Sequence, residues 1–147
     1  MKITVNQIIR EFEKFAESHA MINDFFNGQF FDAMNREAVD YPLMVTTLQP
    51  SVLVNKGVNL VLGVVLADKY NDADYRNLTE IHSDTMQIAS DIRAWFRSWA
   101  YMDEIDVNEN IPIEPFVNRG QDVTAGVAMT VTFNILDVED FCEIPLK

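Results

Sequence analysis

Two histidines, a single cysteine and a run of aspartates are the residues in this chain best suited to chemistry. His19 falls within the apolar stripe of a predicted helix, which is typical of a hydrogen-bonded core histidine rather than a ligand. His82 is close in sequence to Asp84, but successive helical residues are rotated by about 100°, so these two side chains point about 160° apart. We therefore expect neither histidine to belong to a metal site.

The other reactive side chains give equally weak signals. Cys142 cannot form an internal disulfide, and it is expected to be a small apolar side chain because reactive thiols need a positive environment. Asp68, Asp72 and Asp74 resemble part of a calcium loop, but the glycine and the closing glutamate are missing at the required offsets. Weak cation binding there stays open as an alternative. No phosphate-binding, serine-hydrolase or zinc-protease motif is present in the sequence, so we predict no enzyme, no catalytic or metal-binding residue and no cofactor.

Length and composition predict one globular domain over residues 1–147. The chain is 48% hydrophobic, its mean hydropathy is -0.03, and its formal net charge is -12. Its 11 basic residues are scattered along the chain, whereas nucleic-acid binding requires a basic patch. The N-terminal segment "KITVNQIIREFEKF" has neither the apolar core of a signal peptide nor a membrane span, so we expect a soluble protein made inside the cell.

Two long helices are predicted from apolar spacing. The first covers residues 4–26 and begins with Thr4 and Gln7 at capping-box spacing. Its apolar stripe is formed by Ile8, Phe12, Phe15, His19, Ile22 and Phe26. The second covers residues 77–100, and a helix of that length extends about 35 Å, enough to cross a sheet. The stripe of this second helix includes two tryptophans, Trp95 and Trp99.

Two hairpins complete the predicted fold. One joins residues 43–54 to residues 58–68 around the turn "NKG", and the other joins "IPIEPFV" to residues 123–136. In the last strand, the residues predicted to face the helices are Val127, Met129, Val131, Phe133 and Ile135. The fold class is therefore α+β, a two-layer sandwich with two long helices on one face of a mainly antiparallel four-stranded sheet, in the order α-β-β-α-β-β.

The second face of this sheet is the candidate subunit interface. A strand that is apolar on both faces lies inside a sheet or against another subunit, so the side chains pointing away from the helices are the candidates. They are Val61, Val65, Thr130, Thr132 and Asn134.

Acidic residues concentrate in the loop 101–110. They are Asp103, Glu104, Asp106 and Glu109. A solvated surface that aids solubility is one interpretation of this cluster. The other is an acidic lumen whose charge repels DNA and lets it slide past.

The order of elements and several short motifs resemble a family of virion proteins. The motifs are "YP" before the first strand, the glycine-turn hairpin, the tryptophan-bearing second helix, the strand "DVTAGVAMTVTFNI" and "CEIP" at residues 142–145. Together they resemble the tail-terminator and neck-ring proteins of tailed bacteriophages, in particular the ring proteins of crAss-like phages.

This resemblance implies a structural protein of the virion, assembled in the cytoplasm of the host bacterium. The implied assembly is a homo-oligomeric ring of six or twelve subunits between portal and tail. Its implied partners are neighbouring portal, neck or tail proteins, together with double-stranded DNA that passes through without specific binding, and no membrane is involved. Because strands and hairpins commonly contribute to the wall of such rings, residues 43–68 and 112–136 are the first candidates for subunit contacts.

Two other classes of function remain alternatives. A non-virion phage adaptor or inhibitor that binds a host protein would be expressed early and would be missing from particles. A ligand-binding or enzymatic α+β domain would need a polar pocket near His82 or the acidic loops.

Overall fold

The computed structural model describes residues 3–71, 73–99, 105–119, 122–136 and 144–146. In chain order the elements are α1 (Val5–Ser18), β1 (Asp24–Asn27), α2 (Phe30–Met34), β2 (Leu43–Val54), β3 (Gly57–Lys69), α3 (Tyr75–Phe96), β4 (Ile105–Val107), β5 (Ile113–Arg119) and β6 (Val123–Leu136). The fold is α+β, as the sequence predicts.

The strands form one mixed sheet in the order β1-β2-β3-β6-β4, with β5 also paired to β6. β1 runs parallel to β2, and all the other pairs are antiparallel. β6 pairs with β3 along its whole length on one side, while β5 and β4 share its other side. The predicted four-stranded sheet is therefore wrong, because the short strands β1 and β4 extend it to six among the described residues.

The main core lies between the sheet and the helices α1 and α3. The predicted inward face of β6 is confirmed, since its five residues from Val127 to Ile135 are all buried in this core. Phe12 of α1 is fully buried at its centre. Its ring packs edge-on against those of Trp95, Phe96, Trp99 and Phe133, with centroid distances of 5.3 to 6.3 Å.

Helix α1 begins as predicted but ends early. The Thr4 hydroxyl accepts the Gln7 N–H, and the Gln7 side chain accepts the Thr4 N–H, which completes the capping box. The helix ends at Ser18, so the predicted helix over residues 4–26 is wrong for its last eight residues, 19–26. The reason is that the backbone of His19 is extended and its ring Nδ1 accepts the Met21 N–H, which turns the chain toward β1.

A third helix, α2, lies on the opposite face of the sheet. The sequence predicted two helices on one face and did not predict this one. Ala33 and Met34 of α2 pack on Leu43 and Val45 of β2, and these four residues form a second, smaller core. The Arg36 guanidinium donates to Asp24 at 2.9 Å and lies 4.9 Å from the centre of a phenylalanine ring. One end of the second sheet face is therefore covered by the subunit itself.

Candidate subunit interface

All five predicted interface residues lie on the second sheet face. Val61 of β3 lies directly opposite Thr132 of β6, and Thr130 lies two residues further along the same face, opposite Gly63. Asn134 continues this row. All four side chains are half-buried rather than fully exposed to solvent.

Part of this face already has partners inside the subunit. Val65, the fifth predicted residue, packs against the second core beneath α2. The Asn134 amide donates to the Asn108 side-chain oxygen at 2.7 Å. The row around Val61, Thr130 and Thr132 stays half-buried, with the Gln49 side chain beside it over Gly63.

The predicted acidic cluster is described only in part. Asp103 and Glu104 lie outside the described residues, whereas Asp106 and Glu109 are exposed. Asp106 lies in β4 and Glu109 in the loop that follows it. Neither acid forms an ion pair with a described residue.

Asp106 and Glu109 border a groove between the second half of α3 and the β4–β5 edge. The groove consists of two adjoining cavities of about 450 and 260 Å³. Its polar rim contains Arg93 and Arg97 in addition to the two acids. Its apolar part is lined by Met86, Ala89, Ile111 and Ile113. A cavity beside the acidic loop is what the ligand-binding alternative requires.

Among the described residues, the largest group of exposed apolar side chains is at the end of the β2–β3 hairpin, in residues 48–56, which we call the arm. β1 covers the edge of β2 only as far as Thr46. Beyond it Leu48, Val52, Leu53 and Val54 are 50%, 59%, 83% and 40% exposed. Leu48 and Leu53 lie on the helix side of the hairpin, and Val52 and Val54 lie on its other side. Isolated exposed apolar residues are ordinary, but several at one end of a hairpin mark a candidate interaction site.

The sequence predicted the hairpin and included the arm in the candidate contact range 43–68, but it did not distinguish the arm from the rest of that range. The signal that was available is the distribution of charge, because Lys56 is the single charged side chain between Asp40 and Asp68 in an otherwise acidic chain. Lys56 lies in the turn with a positive φ of 66°, which places it at the tip of the arm. Much of this uncharged run is buried inside the sheet, but residues 50–54 are exposed, and an exposed segment without charge is typical of an interface core.

The histidines are engaged within the subunit. The His19 Nδ1 accepts a backbone N–H, so its Nε2 carries the proton and donates to Asp91 at 2.8 Å. This contact ties the end of α1 to α3. The His82 Nε2 lies 3.5 Å from the Phe116 carbonyl oxygen.

The aspartates of the segment that resembles part of a calcium loop do not form a cation site among the described residues. Asp74 caps α3 by accepting the Arg76 N–H, and Asp72 lies outside the described residues. Burial, followed by the nearby charge of Asp84, raises the pKa of Asp68. Among the residues that the structure describes, no three His, Cys, Asp or Glu side chains are close enough together to hold a metal ion.

No helix in the described ranges is long and apolar enough to cross a membrane. No known protein-family profile matches the chain, and no curated protein sequence matches it.

Proposed function

We propose that this protein is a structural component of a tailed bacteriophage virion. It forms an oligomeric ring in the neck or tail connector, joins the head and portal to the tail, and lines the passage of the DNA. The observation that carries this proposal is the arm, an exposed apolar hairpin on an acidic domain. Covering it with a neighbouring subunit removes this apolar surface from water.

The second sheet face also supports an assembly. Its row of Val61, Thr130 and Thr132 offers β-branched side chains, which suit flat packing against another protein surface. Val61 pairs with Gln49 of the arm, so this row adjoins the arm, whereas the groove beside α3 lies toward the opposite end of the sheet. One subunit therefore has more than one surface for neighbours. A component that contacts ring neighbours and also the layers above and below needs several such surfaces.

The negative charge of the protein supports the proposal that DNA passes through the ring. A net charge of -12 gives the assembled ring a negative field, and repulsion between this field and the phosphates keeps DNA from adhering to the wall. Asp106 belongs to this acidic surface in the described part of the chain.

The experiment is to purify phage particles from a culture that produces the protein and to analyse them by quantitative mass spectrometry. We expect the protein in the particles at a copy number that is a multiple of six per portal. Electron microscopy of the purified protein or of particle necks should show it as a ring. Particles that are infectious and lack the protein would refute the proposal.

The same experiment addresses the two alternatives. A non-virion adaptor or inhibitor would use the arm to bind a host protein and would be missing from particles. The groove beside Asp106 and Glu109 is the observation that favours a ligand-binding domain. That alternative predicts that a small molecule from the host cytoplasm copurifies with the protein, which native mass spectrometry would detect.

A further inference from the structure

We infer that the arm of one subunit docks into the groove of the next copy of this chain, with Lys56 facing Glu109. This inference rests on the proposed ring and specifies its subunit contact. It concerns surfaces outside the predicted interface row on the second sheet face.

The two surfaces lie on opposite sides of the subunit. The arm belongs to β2, whereas the groove lies beside β4 and β5, on the far side of β3 and β6. A contact between them is head-to-tail, since the patch on one copy differs from the patch on the next. Head-to-tail contacts produce rings when the rotation between copies closes.

The two surfaces also share part of their level along the sheet. Gly57, at the end of the arm, pairs with Leu136, and Ile105 of β4 pairs with the adjacent Ile135. The arm extends along β6 from the level of Val131, which is opposite Leu62 and thus level with Leu48, to that of Leu136, and the Asn108 N–H beside Glu109 donates to the Thr132 carbonyl within that span. The two surfaces therefore overlap in level, and an ion pair between Lys56 at the tip and Glu109 requires the next copy to be shifted or tilted along the strand direction.

The chemistry of the two surfaces is complementary. The apolar side chains of the arm, with Leu53 the most exposed at 83%, match the part of the groove lined by Met86, Ile111 and Ile113. Lys56 is the single charge of the arm, and Glu109 borders both cavities of the groove without an ion pair to a described residue.

The two arginines of the groove also have a role in this contact. From Leu48 onward the outer edge of β2 is not paired with a described strand, so carbonyl oxygens on this edge are available as acceptors, except that of Gln49, which accepts the Ser51 hydroxyl. Arg93 and Arg97 on the α3 wall are donors for them. Lys56 avoids the positive charge of the two arginines when it lies at the loop side of the groove, where Glu109 is.

Prolines disfavour the simplest other contact, in which strand edges pair directly between copies. Pro50 interrupts the free edge of β2, and Pro115 lies in β5, whose outer edge is the opposite end of the sheet. A proline lacks the N–H that an added strand would need and is a common device against edge pairing. Docking through side chains avoids this obstacle.

A charge exchange tests the ion pair. Lys56→Glu should weaken self-association at least about tenfold, Glu109→Lys should do the same, and the double variant should recover most of the loss. Association is measured on the full chain by light scattering and native mass spectrometry over a concentration series. Leu53→Asp tests the apolar contact in the same assay, and circular dichroism verifies that this exposed position leaves the fold intact.

Cysteine cross-linking tests the geometry independently. In a Cys142→Ser background, a Leu53→Cys variant is mixed with a Met86→Cys variant and oxidised. We expect a disulfide-linked heterodimer on a non-reducing gel. The matched control replaces Met86→Cys with Lys14→Cys, an exposed position on α1, and should give only background cross-linking.

The outcomes separate this inference from the proposed function. Assembly that is unchanged in the Leu53 and Lys56 variants, or cross-linking that is no stronger than in the control, would overturn the docking of the arm and leave the ring intact. A wild-type protein that stays monomeric at the highest attainable concentration would also overturn it. Detection in purified particles tests the virion function whichever contact forms the ring.

Discussion

Replacing Phe12 with alanine should remove the centre of the main core. The side chain is fully buried, and truncation of such a phenylalanine costs about 3–5 kcal/mol in free energy of unfolding. Four aromatic rings pack edge-on around it, and each such pair contributes about 0.5–1.5 kcal/mol beyond burial. We therefore expect Phe12→Ala to fall in the upper half of that range, at about 4–5 kcal/mol.

The assay is urea unfolding at several protein concentrations, followed by circular dichroism and by the fluorescence of Trp95 and Trp99. The matched control is Phe31→Ala, since Phe31 is 75% exposed and should change the stability by less than about 0.5 kcal/mol. A Phe12→Leu variant gives a measurable midpoint if the alanine variant does not fold. A Phe12→Ala protein within about 1 kcal/mol of wild type would refute the packing described for α1.

Three further predictions follow from other parts of the molecule. Gly126→Ala should lower the free energy of unfolding by about 2 kcal/mol or more, because a methyl group there would overlap the Leu66 backbone carbonyl. Gly63→Ala should lower it less in the same urea titration, because the added methyl group meets a flexible glutamine side chain. Equal losses of stability in the two variants would contradict this reasoning. Asp68→Asn should raise the melting temperature at pH 7. Burial raises the pKa of the Asp68 carboxyl, so the stability of the wild-type protein falls as the pH rises through that pKa. The advantage of the variant should disappear below about pH 3.8, and a gain in melting temperature that persists there would have another cause. Thr132→Lys should reduce assembly, measured by light scattering, while it changes the melting temperature of the monomer little. Infectious particles that carry this variant and form at normal yield would show that the second sheet face is not a tight contact.

Regular periodicity explains what the sequence predicted correctly. The alternation in residues 123–136 identifies β6 and its buried face, because side chains on a strand alternate strictly between the two sides. The spacing around Thr4 and Gln7 identifies the start of α1 for a similarly local reason. Both patterns need only neighbouring residues to be interpreted.

The errors arise where distant parts of the chain determine the structure. β1 is four residues long and β4 three, too short for a periodic pattern, and Phe26 of β1 continues the helical spacing by coincidence. His19 and Asp91 are 72 positions apart, so no local pattern reveals that they are paired. The groove was not predicted, because α3 and β4 form its walls only after the sheet is assembled.

The position of β6 has a consequence for biosynthesis. This strand is the last in the described chain, yet it lies inside the sheet between β3 and the β4–β5 edge. Until residues 123–136 have left the ribosome, β3 has one unpaired side and α3 lacks much of the surface it packs on. A nascent chain that pauses before Val123 therefore presents an open apolar edge, the state in which chaperones capture a protein and aggregation begins.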